Sequence, residues 1–203
     1  MKLTRKIKEV GLINTIKGTC RRSYYNKLQK KYDFDTWHIS PYELREYAQV
    51  VVKYINEQAP IENEIVDIGC GLGEVIRNVN APKKFGFDLS PAAIEVANLL
   101  DKKNSVTYSV GTFNEVGSGR TIDYLVTLGF MQGSKEDKWV DDYTNITTNN
   151  DIKNVIVDVL PFSEEQKTNN LDFTKILPSN YKLKERKGPY LSERYIEIYS
   201  KVD

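Results

Sequence analysis

The sequence predicts an α/β protein with a doubly wound, mostly parallel sheet of seven strands, a C-terminal antiparallel hairpin and an N-terminal helical extension. From Glu64 onward, short apolar runs alternate with helix-like segments, a pattern typical of parallel strands covered by helices on both faces. A glycine-rich turn follows the first of these runs. The chain has 203 residues, of which 40% are hydrophobic, and this is enough for one large core.

The first element is a basic amphipathic segment. Its apolar residues recur at helical spacing: Leu3, Ile7, Val10, Ile13 and Ile16. Gly11 and Gly18 are weak points, so we expect either one continuous helix or a helix interrupted at these glycines. Residues 1–31 hold ten basic residues against one acidic residue, a net charge of +9, while the rest of the chain holds 19 basic and 27 acidic residues, a net charge of −8. We expect 1–39 to form a basic helical segment and lid, and 40–203 to form the main domain.

The clearest helix signal covers residues 40–58. Ser40 stands at the N-cap position, Pro41 in the first turn, and Glu43 completes a capping box. One face of this predicted helix is apolar and consists of Leu44, Tyr47, Ala48, Val51, Val52 and Ile55.

The rest of the chain alternates between the two kinds of element. Strands are predicted at 64–68, 84–88, 105–110, 122–128 and 154–159, and helices at 74–79, 91–101 and about 135–147. Ser90 and Pro91 cap the helix at 91–101. The last two strand-like runs are joined by a turn that contains Gly188 and Pro189, which predicts an antiparallel hairpin.

Composition excludes several classes of protein. Cys20 and Cys70 are too few for a disulfide framework, and a single histidine offers no metal-ligand spacing. We therefore expect no metal and a reducing, cytoplasmic location. No apolar run is long enough to span a membrane or resembles a signal peptide, so we expect a soluble protein that can still sit on a membrane surface.

The glycine-rich turn predicts a ligand site. Gly69, Gly71 and Gly73 would let a ligand approach the backbone and would present N–H groups at the N-terminus of the helix at 74–79. Asp88, at the end of the second strand, is placed to accept hydrogen bonds from ribose hydroxyls. A dinucleotide fingerprint requires a glycine where Glu74 stands, which disfavours NAD. These residues therefore indicate another nucleoside-containing ligand.

Two stretches carry a resemblance to a known family. The run "VDIGCGLGEV" followed by "FGFDLSPAAIEVAN" resembles motif I and the next, acidic motif of class I S-adenosylmethionine-dependent methyltransferases. The resemblance covers about residues 40–200. It implies a Rossmann-like sheet, S-adenosyl-L-methionine as the cofactor and methyl transfer as the reaction.

The resemblance also implies roles for single residues. Asp67 is expected near the amino group of the methionine moiety and Asp88 on the ribose, and the three glycines are expected beneath the cofactor. The cofactor-binding residues implied by these motifs are Asp67, Gly69, Cys70, Gly71, Gly73, Asp88 and Leu89. Cys70 is expected to fill space and not to act as a nucleophile.

Two further stretches extend the predicted site. In "VGTFNEV", Thr112 stands where the family commonly has an acidic residue beside adenine, so adenine recognition is expected to rest on backbone and on Phe113. The stretch "LVTLGFMQG" resembles the fourth motif. It implies that Leu128, Gly129 and Phe130 lie along the methionine moiety and that Gln132 points toward the substrate.

Methyl transfer to a hydroxyl gains from a general base. His38, the one histidine, and Asp158, at the end of the fifth strand, are the candidate catalytic residues, with Glu115 as an acidic alternative. Trp37 and Tyr42 are candidate substrate-binding residues. The alternative for Trp37, His38 and Tyr42 is simple packing over the edge of the domain.

The acceptor is expected to be small or glycosidic. No N/D-P-P-Y/F motif follows the fourth strand, and the chain leaves no room for a dedicated RNA-recognition domain. The entry "FDTWHISPYELREYAQVVVKYIN" resembles that of small bacterial methyltransferases associated with surface-polysaccharide synthesis. We therefore expect O-methylation of a surface-polysaccharide precursor, with an RNA or protein methyltransferase and a non-catalytic cofactor-binding subunit as alternatives.

The basic N-terminal segment predicts a peripheral contact with an anionic membrane surface, at the inner face of the membrane. Nucleic acid is the less favoured partner. The alternatives for residues 1–31 are a solvated arm and a helix packed on its own domain.

Overall fold

The computed structural model describes residues 3–58, 60–130, 137–161, 171–190 and 193–202. Its strands are β1 Glu64–Ile68, β2 Lys83–Asp88, β3 Thr107–Val110, β4 Thr121–Thr127, β5 Asp151–Val159, β6 Tyr181–Lys187 and β7 Tyr195–Lys201. Its α-helices are α1 Leu3–Val10, α2 Leu12–Tyr32, α3 Glu46–Glu57, α4 Pro91–Leu100, α5 Asp137–Asn149 and the single turn α6 Phe173–Ile176. Short 3₁₀ helices cover Thr36–Ile39, Tyr42–Leu44, Ile76–Asn78 and Phe113–Val116.

The seven strands form one sheet in the order β3-β2-β1-β4-β5-β7-β6. The pairs β2–β3, β1–β2, β1–β4 and β4–β5 are parallel, whereas β7 pairs antiparallel with both β5 and β6. The order reverses between β1 and β4, where ligands of open α/β sheets bind. The predicted fold class and the C-terminal hairpin are therefore confirmed.

Both faces of the sheet are buried. On one face, α5 and α6 contribute Trp139, Tyr143 and Phe173 to a cluster with Val66 and Leu125. On the other face, α3 packs Val51 and Ile55 against a second set of strand residues, which includes Ile65, Val126 and Ile198. This arrangement explains why the central strands β1, β4 and β5 are buried along most of their length.

The N-terminal segment breaks at Gly11, whose φ of 81° is a left-handed conformation. Gly18 does not interrupt α2, because it lies against the Leu44 side chain, where a Cβ would come within 2.5 Å of Cγ. The face of α2 that packs on the domain carries Tyr25 and Leu28, in a cluster with Leu72, Ala93 and Val96. The apolar positions Ile13 and Ile16 lie outside this contact and are exposed.

The predicted start of the helix at Ser40 is wrong. Ser40 is extended, Tyr42–Leu44 form a 3₁₀ helix, and α3 begins at Glu46. Long-range contacts override the local capping box: the Glu43 carboxylate pairs with Arg21 of α2 at 3.0 Å, and the backbone N–H of Tyr42 donates to Glu74. A capping box contributes only about 1 kcal/mol, so such contacts can outweigh it.

The predicted helix at 74–79 is also wrong. The chain makes a turn and the 3₁₀ helix Ile76–Asn78 before it enters β2. Glu74 is buried and is held by Tyr25 and Arg77, and the Asn78 side-chain amide donates to the Glu74 carbonyl at 2.8 Å, which closes the turn. The glycine-rich loop therefore leads into a tight turn and not into an α-helix N-terminus.

The remaining boundaries agree with the predictions to within a few residues, and the Ser90 hydroxyl caps α4 by accepting from the Ala93 N–H at 3.2 Å. None of the helices in the described part of the chain is long and apolar enough to cross a bilayer. The predicted domain division near residue 39 stays a prediction.

Candidate active site

A cavity of about 880 Å³ opens at the carboxyl ends of β1, β2 and β4. This volume lies in the range of small-molecule sites. Three loops of the sheet and two segments outside it supply the lining: Gly69–Leu72 with Glu74, Asp88–Ser90, Leu128–Phe130, the N-terminal residues Asp35, Trp37, His38, Arg45 and Tyr47, and Arg194. The cavity therefore lies at the edge predicted from the glycine-rich turn.

The glycine-rich loop forms the floor of this cavity. The N–H groups of Gly69 and Cys70 donate to the Phe87 carbonyl at 2.8 and 3.0 Å, which ties the loop to β2. At Gly71, with φ of 54°, a Cβ would lie 2.6 Å from His38 Nδ1. Only glycine allows both the left-handed backbone and this close approach.

Asp88 closes the other side of the loop. Its Oδ2 accepts from the Gly71 N–H at 2.8 Å, and its Oδ1 accepts from the Ser90 N–H at 2.9 Å. A carboxylate oxygen can accept more than one hydrogen bond, so Asp88 retains acceptor capacity toward the cavity that it lines. Leu89 and Ser90, the two residues after Asp88, also line the cavity.

Asp67 lies beneath the loop in β1 and is only 2% exposed. Its Oδ2 has no hydrogen-bond partner in the described part of the chain. Burial raises the pKa of Asp67 to about 7 against the opposing effect of Arg45, and Asp88 adds to the increase. A buried carboxylate oxygen without a donor is costly. Asp67 lies outside the cavity lining, directly beneath the loop, and its free oxygen would be stabilised by a donor that reaches it from the cavity.

Cys70 fills space, as predicted. The thiol is buried, and a Cβ at Gly86 would lie 3.0 Å from its Sγ. Burial raises its pKa well above the ordinary value, and Asp67 and Asp88 add to this effect. A thiol held in its neutral form is a poor nucleophile.

The 3₁₀ helix Thr36–Ile39 lies over the floor of the cavity. His38 touches Gly71 and packs edge-on to the Phe34 ring, with centroids 6.3 Å apart. Burial lowers the pKa of His38, while Asp88 and Asp35 oppose this change. Trp37 lies at the mouth with 71% of its surface exposed. The structure thus places Trp37 and His38 in the lining of the cavity. His38 lies near enough to Asp88 for that carboxylate to affect its pKa.

Asp158, the second catalytic candidate, is fully engaged. Its Oδ1 accepts from the Gly129 N–H at 2.6 Å, and its other oxygen is ion-paired with Arg194 Nη1. Burial raises the pKa of Asp158, and Arg194 and the Gly129 N–H oppose this increase. Asp158 itself does not line the cavity. Its contacts instead hold Arg194 against the loop after β4.

Leu128, Gly129 and Phe130 line the cavity; their place along the methionine moiety stays a prediction. Phe130 also closes the site from below, because a Cβ at Gly69 would lie 2.7 Å from its ring. Behind it, the Phe130 ring packs on Trp139, with centroids 5.4 Å apart. Gln132, the residue expected to point toward the substrate, lies outside the described residues.

Other predicted residues lie outside the cavity lining. Thr112 caps the 3₁₀ helix Phe113–Val116, and its N–H donates to Glu115 at 2.6 Å, so Glu115 faces away from the site. Phe113 is buried in the core beside Tyr143. Gly73 faces the Tyr108 hydroxyl, and Tyr42 packs on the α3 side of the core.

The sequence reasoning missed seven residues of the cavity lining: Asp35, Arg45, Tyr47, Leu72, Glu74, Ser90 and Arg194. Arg45 stands at the N-cap position of α3, two residues before Tyr47, and Arg194 precedes β7. The Arg194 guanidinium lies 4.4 Å from the centre of the Tyr47 ring, and that of Arg45 lies 6.0 Å from it. No spacing signal in the sequence links Arg45 and Tyr47 to Arg194.

No protein-family model and no curated protein matches the sequence. Solved structures do match the fold. Magnesium protoporphyrin IX methyltransferase from Synechocystis PCC 6803 with bound SAH has a TM-score of 0.67 and 13% sequence identity, over 93% of this chain and 99% of that chain. The N-methyltransferase NodS from Bradyrhizobium japonicum WM9, in complex with S-adenosyl-L-homocysteine, has a TM-score of 0.67 and 14% identity, over 88% of this chain and 98% of that chain.

A TehB-like SAM-dependent methyltransferase from Corynebacterium glutamicum is similar as well, with a TM-score of 0.57 and 18% identity over 91% of this chain and 100% of that chain. At these identities the comparison concerns the fold. The chain therefore has the Rossmann-like fold of these methyltransferases, with the same seven-stranded sheet that its sequence predicted.

Proposed function

We propose that this protein is an S-adenosyl-L-methionine-dependent methyltransferase that methylates an oxygen of a small or glycosidic acceptor, with a surface-polysaccharide precursor as the favoured class. The shared fold supports the reaction class, because methyltransferases with bound SAM or SAH are among the similar structures. The absence of an N/D-P-P-Y/F motif after β4 and the polysaccharide-type entry segment support an oxygen acceptor of this kind.

One observation carries the cofactor assignment. One oxygen of the buried Asp67 carboxylate, Oδ2, lacks a donor in the described part of the chain, beneath a glycine floor whose other wall is Asp88. S-adenosylmethionine fits this set of residues, because its amino group and sulfonium are positive and its ribose offers hydroxyl donors. Asp67 would hold the amino group, Asp88 the ribose, and Gly69 and Gly71 would lie beneath the cofactor. When bound, this cofactor supplies an activated methyl group to a nucleophilic oxygen.

The protein's own part in the reaction is to position the acceptor and exclude water. The segment Thr36–Ile39 covers the floor, and the loop Leu128–Phe130 forms the wall toward the acceptor. Asp158 is occupied by Arg194 and Gly129, so it acts as a positioning residue in this proposal. His38 remains the candidate for a general base, but its contact with Gly71 and its place beside Asp88 favour a role in covering the cofactor.

Calorimetric titration with SAH tests the cofactor assignment. We expect binding in the low micromolar range, and we expect Asp88→Ala to weaken it by about 1.5–3 kcal/mol, the scale of hydrogen bonds to a charged acceptor. Glu115→Ala is the matched control, because Glu115 lies outside the cavity; its affinity should stay within about twofold of the wild type. Binding of NAD with no heat from SAH would contradict the assignment.

The acceptor is best sought in cells. A strain that lacks the gene should lose a methyl group from one glycan or metabolite relative to its parent, and mass spectrometry of both strains would detect it. Loss of a methyl group from RNA or from a protein would instead support the alternative methyltransferase classes. SAH binding without any lost methyl group would support a non-catalytic cofactor-binding subunit.

We also propose that the protein contacts an anionic membrane surface through α2, at the inner face of the membrane. Ile13, Ile16, Cys20 and Tyr24 recur at three- and four-residue spacing and share one exposed face. Basic residues surround this face: Lys17, Arg21, Arg22 and Lys27. An exposed apolar stripe flanked by basic residues is typical of helices that lie in a membrane interface.

A further inference from the structure

We propose that the cavity binds an acceptor that carries a carboxylate or a phosphate group, held by the guanidinium groups of Arg45 and Arg194 beside the Tyr47 ring. This inference rests on the proposed function and names the chemical class of its acceptor. Arginine recognises both anions because its planar donors match two oxygens at once.

The two arginines have unused donors. Arg194 is buried, and in the described part of the chain its side chain has one hydrogen-bond partner, Asp158. The Nε of Arg194 and the Nε of Arg45 both lack a partner there. Arg45 also forms no ion pair with a carboxylate of the described residues, unlike Arg77, which pairs with Glu74 at 2.7 Å. Two positive groups therefore border one cavity: Arg194, which is ion-paired with Asp158, and Arg45, on which the carboxylates of Glu74 and Asp67 act from beyond ion-pair distance.

Two acidic residues of the cavity lining are bound by groups other than these arginines. Glu74 is occupied by the Tyr25 hydroxyl, the Tyr42 N–H and Arg77. Asp88 accepts from the loop amides. The cavity thus offers carboxylates, which suit the ribose and the positive amino group, and two guanidinium groups, which would attract an anion.

The two guanidinium groups mark the place of the acceptor in this proposal. Asp158 links Arg194 to the Gly129 N–H, so the guanidinium is fixed against the loop that follows β4. The Tyr47 ring supports it from below at 4.4 Å. An arginine that is held by a carboxylate and an aromatic ring loses little conformational freedom when it binds a ligand.

The experiment uses full-length protein saturated with SAH, so that the cofactor's own carboxylate is already in place. Inorganic phosphate is then titrated against a chloride reference at constant ionic strength, with the heat of binding as the signal. We expect saturable binding in the wild type and at least about tenfold weaker binding in Arg45→Gln and Arg194→Lys, because each change removes a charge-assisted contact or its two-pronged geometry.

Arg186→Gln is the matched control. Arg186 pairs with Glu197 at 2.7 Å and lies 4.8 Å from the Tyr195 ring, in the same hairpin but outside the cavity. Its phosphate affinity should equal that of the wild type. The double variant Arg194→Gln with Asp158→Asn removes both buried charges together, and it serves if a single change at Arg194 unfolds the protein. It should also bind phosphate at least about tenfold more weakly.

The outcomes separate the two proposals. If SAH does not bind the wild type, the proposed function fails. If SAH binds but the arginine variants bind phosphate as the wild type does, the acceptor inference alone fails. It also fails if these variants lose affinity for SAH but keep it for 5′-methylthioadenosine, which lacks the amino-acid part, because the arginines would then hold the cofactor's carboxylate.

Discussion

At the scale of single residues, Asp67 is a buried carboxylate of the candidate site whose hydrogen bonding is incomplete. It is buried, one of its oxygens has no partner, and burial raises its pKa to about 7 from an ordinary value of 3.8. A carboxyl whose folded-state pKa is raised stabilises the protein below its unfolded value, and this contribution is lost as the pH rises through the folded value. The contribution of Asp67 to the stability of the ligand-free protein should therefore fall between about pH 4 and pH 7.

Replacing Asp67 by Asn removes this titration. We expect the unfolding temperature of Asp67→Asn, relative to the wild type, to increase from pH 4 to pH 7 and then to level off, as measured by calorimetry without ligand. The same variant should bind SAH more weakly, because it loses the negative charge opposite the amino group. A constant difference in unfolding temperature between Asp67→Asn and the wild type across this pH range would show that Asp67 does not titrate there.

At the scale of elements, the 3₁₀ helix Thr36–Ile39 connects the N-terminal helices to the cofactor floor through His38. We expect His38→Ala to weaken SAH binding by about 1–2 kcal/mol, because the ring covers Gly71 and part of that burial is lost. Calorimetric titration measures this change, and Trp37→Ala, at an exposed neighbouring position, should have a smaller effect.

The alternative role of His38 leads to a different result. If the imidazole is a general base, His38→Ala should leave SAH affinity within about twofold and should reduce turnover about a hundredfold once an acceptor is known. Unchanged affinity of His38→Ala for SAH would therefore contradict a role in covering the cofactor. Together with reduced turnover, it would support a role as general base.

At the scale of the whole molecule, charge is divided between the N-terminal segment, with a net charge of +9, and the remainder, with −8. Such a division orients a protein in the field of an anionic surface. Full-length protein should therefore float with vesicles that contain phosphatidylglycerol and not with pure phosphatidylcholine. The double variant Ile13→Ser with Ile16→Ser should lose this binding, because the two exposed side chains would insert into the interface.

Leu183→Ser is the control for flotation, since Leu183 is an exposed apolar residue of β6, far in sequence from α2. Equal recovery with both kinds of vesicle would contradict the membrane proposal. RNA binding that falls steeply with salt, in the absence of vesicle binding, would instead assign the basic segment to a nucleic acid.

The sequence by itself determined the sheet, the glycine-rich turn, the Ser90 cap of α4 and the C-terminal hairpin. Each of these is signalled by a local pattern, such as the alternation of short apolar runs or a cap beside a proline, and the pattern is visible before the distant partners of each strand are known. The same patterns placed Gly69, Gly71 and Asp88 at one edge, because the carboxyl ends of neighbouring parallel strands must meet there.

Only the tertiary structure decided where α3 begins, that no α-helix follows the glycine-rich loop, and that Arg45 and Arg194 meet at Tyr47. Contacts between distant parts of the chain decide each of these: Glu43 pairs with Arg21, Glu74 accepts from Tyr25, and Asp158 holds Arg194. A capping box or a helix propensity contributes about 1 kcal/mol, and a buried charge left unpaired costs several times more. Local signals therefore give way wherever a buried carboxylate requires a partner from another element.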